Sequence, residues 1–409
     1  MTLLDHLPSL RRAAAQRICA DLWPRSAVVD ELGRLCVGGV AITDVAAQFG
    51  TPTYILDEAE LRRRLRAQHA GAGDLVPVLA ARSLPTTVMR WIDDEGVGLA
   101  IRSGADLAAA RAAGVEPARM VVHARGLSHD DLVAGAAVRP GRLVVDSTMD
   151  VAYLCGRTVG RQRVLIGAPD GSPDPAVVDR VLHEPALDLV GFHCRPGDDV
   201  ESSLHQLFSA MRATRRNHGR FLTEVNLAFD SAPATAMVDD ALDAACAATR
   251  LARPRVVVES PCSALDLAGV TAYRVASVIS PVGAPRILVL DAGGTIPGGG
   301  IVALANRHPL STAERVTVTV GEVEIARDVL LPCDVHPGDV LAVARCHAGD
   351  DAPVVAVRDG VTTPLTRRLR LDEVLSRDLG YSARGGHDQH VGGRDAHRHP
   401  LAGGELPGL

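Results

Sequence analysis

The chain has 409 residues, 47% of them hydrophobic, and a formal charge of −6 spread without a basic block. That is enough for two domains and a large core, and it excludes a nucleic-acid-binding patch. No apolar run reaches the ~20 residues of a membrane-spanning helix. Met1 to Ala20 carries Arg11, Arg12 and Arg17 but no apolar centre, so it does not read as a secretory signal. The eight cysteines contain no Cys-x-x-Cys pair. They read as free, mostly buried thiols of a cytoplasmic protein.

In chain order, residues 1–20 are an Ala/Arg-rich lead, and Val28 to Val37 alternates around a turn at Gly33. Thr43 to Phe49 predicts a short amphipathic helix capped by Thr43 or Asp44 and broken by Gly50-Thr-Pro52. Thr53 to Leu56 predicts a strand, and Asp57 a cap for a helix ending near Gln68. Eight short apolar runs follow, at 76–81, 97–101, 119–124, 142–146, 163–167, 187–193, 223–229 and 255–259. Between most of them the apolar period is helical: Thr86 to Glu95, Ala105 to Ala113 with Gly114 as its stop, and Ser128 as a cap for the helix through Ala137. The sets Val200, Leu204, Leu207, Phe208, Met211 and Met237, Val238, Ala241, Leu242, Ala245 show the same spacing.

Continuous apolar strands alternating with helices predict an α/β protein with a parallel sheet covered on both faces. Eight units predict a closed (β/α)8 barrel, with an open doubly wound sheet as the alternative. Past residue 272 short strands between Gly/Pro turns predict an antiparallel β-domain, with helical spacing returning only at Leu371 to Leu379. The expected organisation is an N-terminal segment at 1–48 pairing with the β-domain, a barrel at 49–272, the β-domain at 273–382 and a Gly/His/Arg-rich disordered tail at 383–409. The tail histidines 387, 390, 397 and 399 have no accompanying Cys or carboxylate cage, and no metal site is expected.

One absence bears on chemistry: the chain contains no lysine, so all 43 residues of the Lys+Arg count are arginines. The first barrel run, Val76-Pro-Val-Leu-Ala-Ala-Arg82, ends on an arginine.

Several segments, in order from about residue 20 to 380, resemble diaminopimelate decarboxylase. They are Leu22-Trp-Pro-Arg25, Gly50-Thr-Pro-Thr-Tyr-Ile-Leu-Asp-Glu58, Arg90-Trp-Ile-Asp-Asp-Glu-Gly-Val-Gly-Leu99, Leu143-Val-Val-Asp-Ser147, Gly191-Phe-His-Cys194 and Val256-Val-Val-Glu259. Leu290-Asp-Ala-Gly-Gly294, Ala326-Arg-Asp-Val-Leu-Leu-Pro332 and Pro337-Gly-Asp-Val-Leu-Ala-Val343 continue the match. The resemblance implies a barrel of the alanine-racemase type, dimers that share active sites, and pyridoxal phosphate held by a lysine Schiff base. It also implies that the family's lysine position is Arg82, whose guanidinium stays protonated and cannot form that bond. The family's His-x-Gly-Ser becomes Arg195-Pro-Gly-Asp198, its glycine loop Asn226-Leu-Ala-Phe-Asp230, and its Glu-Pro-Gly-Arg Glu259-Ser-Pro-Cys262. His193, Gly197 and Glu259 remain as remnant cofactor positions, Glu259 being the implied partner of the pyridine nitrogen.

The resulting expectation is a degenerate member that holds no cofactor and has no catalytic residue. It would be a pseudoenzyme with a regulatory, scaffolding or anion-binding role, as a homodimer or as a heterodimer with an active paralogue. Arg82, Arg102, Arg125 and Arg195 fall at predicted strand ends, where barrel sites lie. With His123, His193 and Glu259 they form a candidate anion site, unless they pair with Asp198, Asp199, Asp230 and Glu259. The alternative is an amino-acid carboxy-lyase binding pyridoxal phosphate non-covalently.

Overall fold

All eight apolar runs are barrel strands in the computed structural model, which describes residues 18–19, 21–81, 83–158, 160–197, 199–231, 233–291, 301–345 and 352–377. The strands are Leu75–Ala80, Gly98–Ile101, Met120–His123, Arg142–Val145, Gln162–Gly167, Leu187–Cys194, Glu224–Ala228 and Arg255–Ser260. They pair in parallel in chain order, and the ring closes where Glu259 lies opposite Val78. The open-sheet alternative is therefore excluded.

Alternation along each strand sorts the side chains. Val78, Ala100, Val121, Val144, Leu165, Val190 and Val257 form one small cluster filling the barrel. Their neighbours Leu79, Leu99, Val122, Leu143, Ile166 and Val258 pack outward against the helices. Positions two residues beyond the inner cluster must also face inward, which places Arg102, His123 and Glu259 toward the C-terminal mouth.

The helices begin where the sequence supplies caps. The side chains of Asp57, Ser103 and Ser128 accept from the backbone N–H of Glu60, Asp106 and Asp131. Gly114 ends its helix in the left-handed conformation, as expected. The helix Ile42–Phe49 departs from expectation: its cap is Ala41, with no side-chain bond from Thr43 or Asp44. Its apolar face, Ile42, Val45 and Ala46, packs into the core beneath the second sheet, and this burial holds it.

The second sheet is built around Gly269–Ile279, which pairs antiparallel with Thr53–Asp57, Arg286–Leu290 and Val340–Ala344. Thr53–Asp57 thus belongs to this sheet, although it precedes the barrel strands. The sheet is mixed: Arg286–Leu290 runs parallel to Ala313–Val320, and Thr53–Asp57 parallel to Val354–Arg358. Ile301–Leu304 and Val361–Thr366 are strands the sequence pattern did not reveal. The N-terminal segment packs here, with Trp23, Leu35 and Val37 against Val270, Ala303 and Val340. The helix Leu371–Ser376 belongs to a separate unit that begins at Arg368. The tail expected to be disordered lies outside the described residues.

Candidate functional site

Strand ends from four parts of the barrel converge on Glu259. His123 Nε2 lies 2.9 Å from its Oε1 and 3.1 Å from its Oε2. Asn226 donates its side-chain N–H to Oε1 at 2.7 Å, and Arg102 donates to Oε2 at 2.5 Å. The imidazole of His193 stands edge-on to that of His123, with ring centroids 4.8 Å apart. Two buried atoms of this cluster, His193 Nδ1 and Asn226 Oδ1, make no well-formed hydrogen bond, although the two side chains lie within reach of each other.

The charges follow from these contacts. Burial pushes the Glu259 carboxyl up, but His123 and Arg102 overcome it and hold the group below the usual carboxylate range. Burial dominates at His193; with repulsion from His123 and Arg102 it outweighs the pull of Glu259 and takes the imidazole down to about 3. The ring is therefore neutral near pH 7.

Above Glu259 a cavity of about 780 Å³ opens at the mouth, walled by Ala80, Arg102, Arg195, Phe229, Asp230 and Cys262, with Tyr54 of the second sheet closing one side. Burial pushes the Cys262 thiol up to about 12, which makes it a poor nucleophile.

Of the four arginines expected to form an anion site, the structure brings two to this cavity. Arg102 is bound to Glu259, and Arg195 reaches Asp230 at 2.5 Å on the rim. Arg125 is 73% exposed and turned to Asp146 at 3.4 Å, away from the cavity wall. Arg82 and Asp198 lie outside the described residues. Gly197 is exposed, and a side chain there would meet nothing within 4 Å. Asn226 is the member that sequence reasoning read only as a lost glycine loop. Its inward direction follows from alternation between the outward Val225 and Leu227.

With this geometry in place, the chain can be compared with known proteins. Residues 58–170 match the family described as the pyridoxal binding domain of pyridoxal-dependent decarboxylases. The diaminopimelate decarboxylase of Actinosynnema pretiosum subsp. auranticum is 31% identical over 442 aligned residues, spanning 93% of this chain and all of that one. That of Mycobacterium tuberculosis is 26% identical, over 88% and 98% of the two chains. The fold is shared with solved structures: an Aquifex aeolicus protein (TM-score 0.72, 17% identity, 88% of this chain and 99% of that one) and the diaminopimelate decarboxylase of M. jannaschii (TM-score 0.69, 15% identity, 87% and 98%). The fold is thus that of the pyridoxal-dependent decarboxylase class. Within that class, the chain belongs to the diaminopimelate decarboxylase family.

This membership corrects one expectation. The barrel was expected to take no cofactor, but the matching region is a pyridoxal binding domain, so a pyridoxal group is what the fold is built to hold. The residues fit that group at one end only. Glu259 is a buried, ionised carboxylate on the eighth strand at the floor of the cavity, suited to a pyridine N–H. At the aldehyde end the chain offers no lysine. The covalent attachment therefore does not fit, and no reaction step can be routed through it.

Proposed function

We propose that this family member is a catalytically silent barrel that holds a pyridoxal-type phosphate through non-covalent contacts alone. The observation that carries the reading is the pairing of a lysine-free sequence with a mouth cavity floored by Glu259 and walled by Arg102 and Arg195. When bound, a pyridoxal group supplies an electron sink for carbanions. This chain can bind and orient it but has no lysine amine to anchor it. Glu259 faces the ring nitrogen, and Arg195 offers its guanidinium to the phosphate. Asp230 is 85% exposed, so Arg195 exchanges it for a phosphate oxygen at little desolvation cost.

Equilibrium dialysis with pyridoxal phosphate, followed by borohydride and peptide mapping, tests the reading. The expected result is saturable binding, loss of the cofactor on gel filtration, no fixed adduct within the barrel and no carbon dioxide released from diaminopimelate. Absence of binding, an adduct on a barrel residue or carbon dioxide release overturns it.

A further inference from the structure

We propose that the N-terminal end of the barrel carries a site for a phosphate-type oxyanion, held by Arg163 and Arg255. Alternation places the groups. Val144, Leu165 and Val257 fill the barrel, so Arg142, Arg163 and Arg255, two residues earlier on the fourth, fifth and eighth strands, point into its lower opening. Glu224 shares that layer, directly opposite Arg255 in the pairing of the seventh and eighth strands. Its carboxylate is already taken: Arg142 donates to it twice at 2.7 Å, and Arg163 once at 2.5 Å. Asp188, the neighbour of Arg163 on the sixth strand, is engaged by Arg161 at 3.2 Å and by Arg220. The Arg255 guanidinium makes no hydrogen bond or ion pair among the described residues. Partial burial, together with repulsion from Arg142 and Arg163, outweighs the pull of Glu224 and lowers it below its ordinary value, yet a guanidinium stays charged at pH 7.

Three arginines against one glutamate leave two positive charges uncompensated at this opening. A phosphate group near pH 7 carries close to that charge, whereas a monocarboxylate would leave one guanidinium without a counter-charge. The two outer arginines are also the accessible ones. Arg142 is buried behind its two bonds to Glu224 and serves as the floor. Arg163 is 45% exposed and spends one N–H on Glu224, and Arg255 is exposed. Their remaining N–H donors form planar forks that match the oxygens of a phosphate, and an anion reaches them from solvent without displacing a buried contact. The rim pair at the other end differs, because Arg195 has a counter-charge in Asp230 and Arg255 has none. The inference does not rest on the pyridoxal reading, since none of these residues lines the mouth cavity.

The test titrates the full chain calorimetrically with inorganic phosphate at constant ionic strength, without pyridoxal phosphate. Arg195→Ala is included because the mouth arginine is the other place for an oxyanion. The expected result is saturable binding that persists in Arg195→Ala and weakens about tenfold or more in Arg255→Gln and in Arg163→Gln, through loss of a charge-assisted bond. Thermal melting adds a readout independent of affinity. In phosphate-free buffer Arg255→Gln should melt no lower than the parent chain, because the guanidinium it removes has no partner, and added phosphate should raise the parent more than the variant. A phosphate monoester such as glycerol phosphate separates two sources of the same group: tighter binding than phosphate assigns the site to a phosphorylated metabolite, and equal or weaker binding to free phosphate. Absence of phosphate binding, a loss confined to Arg195→Ala, or unchanged affinity in both lower-end variants overturns the proposal. So does an Arg255→Gln chain that melts below the parent in phosphate-free buffer, since the arginine would then serve the fold. The loss is read at Arg163 and Arg255, so failure here is distinct from failure of the dialysis experiment.

Discussion

The two ends of the barrel each hold a buried glutamate among cations, and they solve the same electrostatic problem differently. At the N-terminal end Arg142 binds Glu224 through two hydrogen bonds of 2.7 Å, and Arg163 adds a third at 2.5 Å. Arg142 and Glu224 are both buried, and no cavity adjoins them among those described. At the C-terminal end Glu259 shares one arginine and one histidine, a cavity of about 780 Å³ lies above it, and His193 Nδ1 makes no well-formed hydrogen bond. A closed bidentate pair serves stability, whereas an open, incompletely satisfied cluster is what a binding site requires.

The largest effect should come from breaking the closed end. Glu224→Ala leaves the Arg142 guanidinium buried without a counter-charge, a loss of ~3–5 kcal/mol in urea denaturation. Glu259→Ala should cost clearly less, because Arg102 is one-third exposed and can turn to water in the cavity. Equal losses at the two glutamates would remove the distinction between the ends.

Gly191 sharpens the same contrast from the backbone side. A Cβ at this position would sit 1.8 Å from the carbonyl oxygen of Glu224, at a register shift between the fifth and sixth strands. Gly191→Ala should therefore force the strands apart and cost ~1–3 kcal/mol by overpacking. Thermal melting at fixed pH checks it, and an unchanged midpoint would mean that the lower barrel yields easily.

The fold was far more legible in the sequence than either cluster was. The eight barrel strands are continuous apolar runs, and such a run shows itself locally whatever its partners. Val361–Thr366 is Thr-rich, exposed and interrupted by Pro364, so no apolar period marks it. Ile301–Leu304 is only four residues long and directly follows a glycine run. The two parallel pairings of the second sheet depend on chain direction, which alternation does not record. Likewise His123 and Glu259 are 136 residues apart, and Arg142 and Glu224 are 82 apart. The sequence could put each at a strand end, and His193 and Glu259 were expected at the mouth. Pairing of the arginines with Glu259 and Asp230 stood as an alternative to an anion site; what the sequence could not show is which arginine takes which carboxylate and that Arg125 faces elsewhere, because that is set by where the inward positions meet.

At the open end, removing a polar group should help the fold. His193→Leu deletes a buried nitrogen that makes no well-formed hydrogen bond, and the variant should gain ~1 kcal/mol over the parent chain. The opposite sign is expected for any polar-to-apolar change at Arg142. A destabilised His193→Leu chain would show that this histidine supports the fold rather than the site.

The second sheet gives the comparison a pH readout. Asp339, buried, accepts from Arg307 at 2.8 Å and 3.1 Å, from Asn306 at 2.9 Å and from the backbone N–H of His336 at 3.0 Å. Burial pushes its carboxyl up, but the bonds from Arg307 and Asn306 prevail and hold it below the ordinary value. A carboxyl lowered in the folded state binds its proton more readily when unfolded. Its contribution is therefore complete above the unfolded pKa of about 3.9 and is lost as pH falls through the folded value. Asp339→Asn should flatten the acid limb of the stability curve below about pH 4. An unaltered acid limb would assign the acid sensitivity to other carboxylates.

The smallest effect on stability is expected at the rim. Arg195 and Asp230 are 55% and 85% exposed, so their ion pair should contribute no more than ~0.5 kcal/mol, and Arg195→Ala should melt within about a degree or two of the parent. The same change removes a guanidinium from the cavity wall, where a charge-assisted bond to phosphate is worth ~1.5–3 kcal/mol. Pyridoxal phosphate should consequently bind about tenfold or more weakly. Arg125→Ala, which removes an arginine outside the cavity, should leave that affinity unchanged. If both variants bound the cofactor as tightly as the parent, the phosphate would be held by something other than the rim arginine. The open end would then owe its ligand to Glu259 and its neighbours alone.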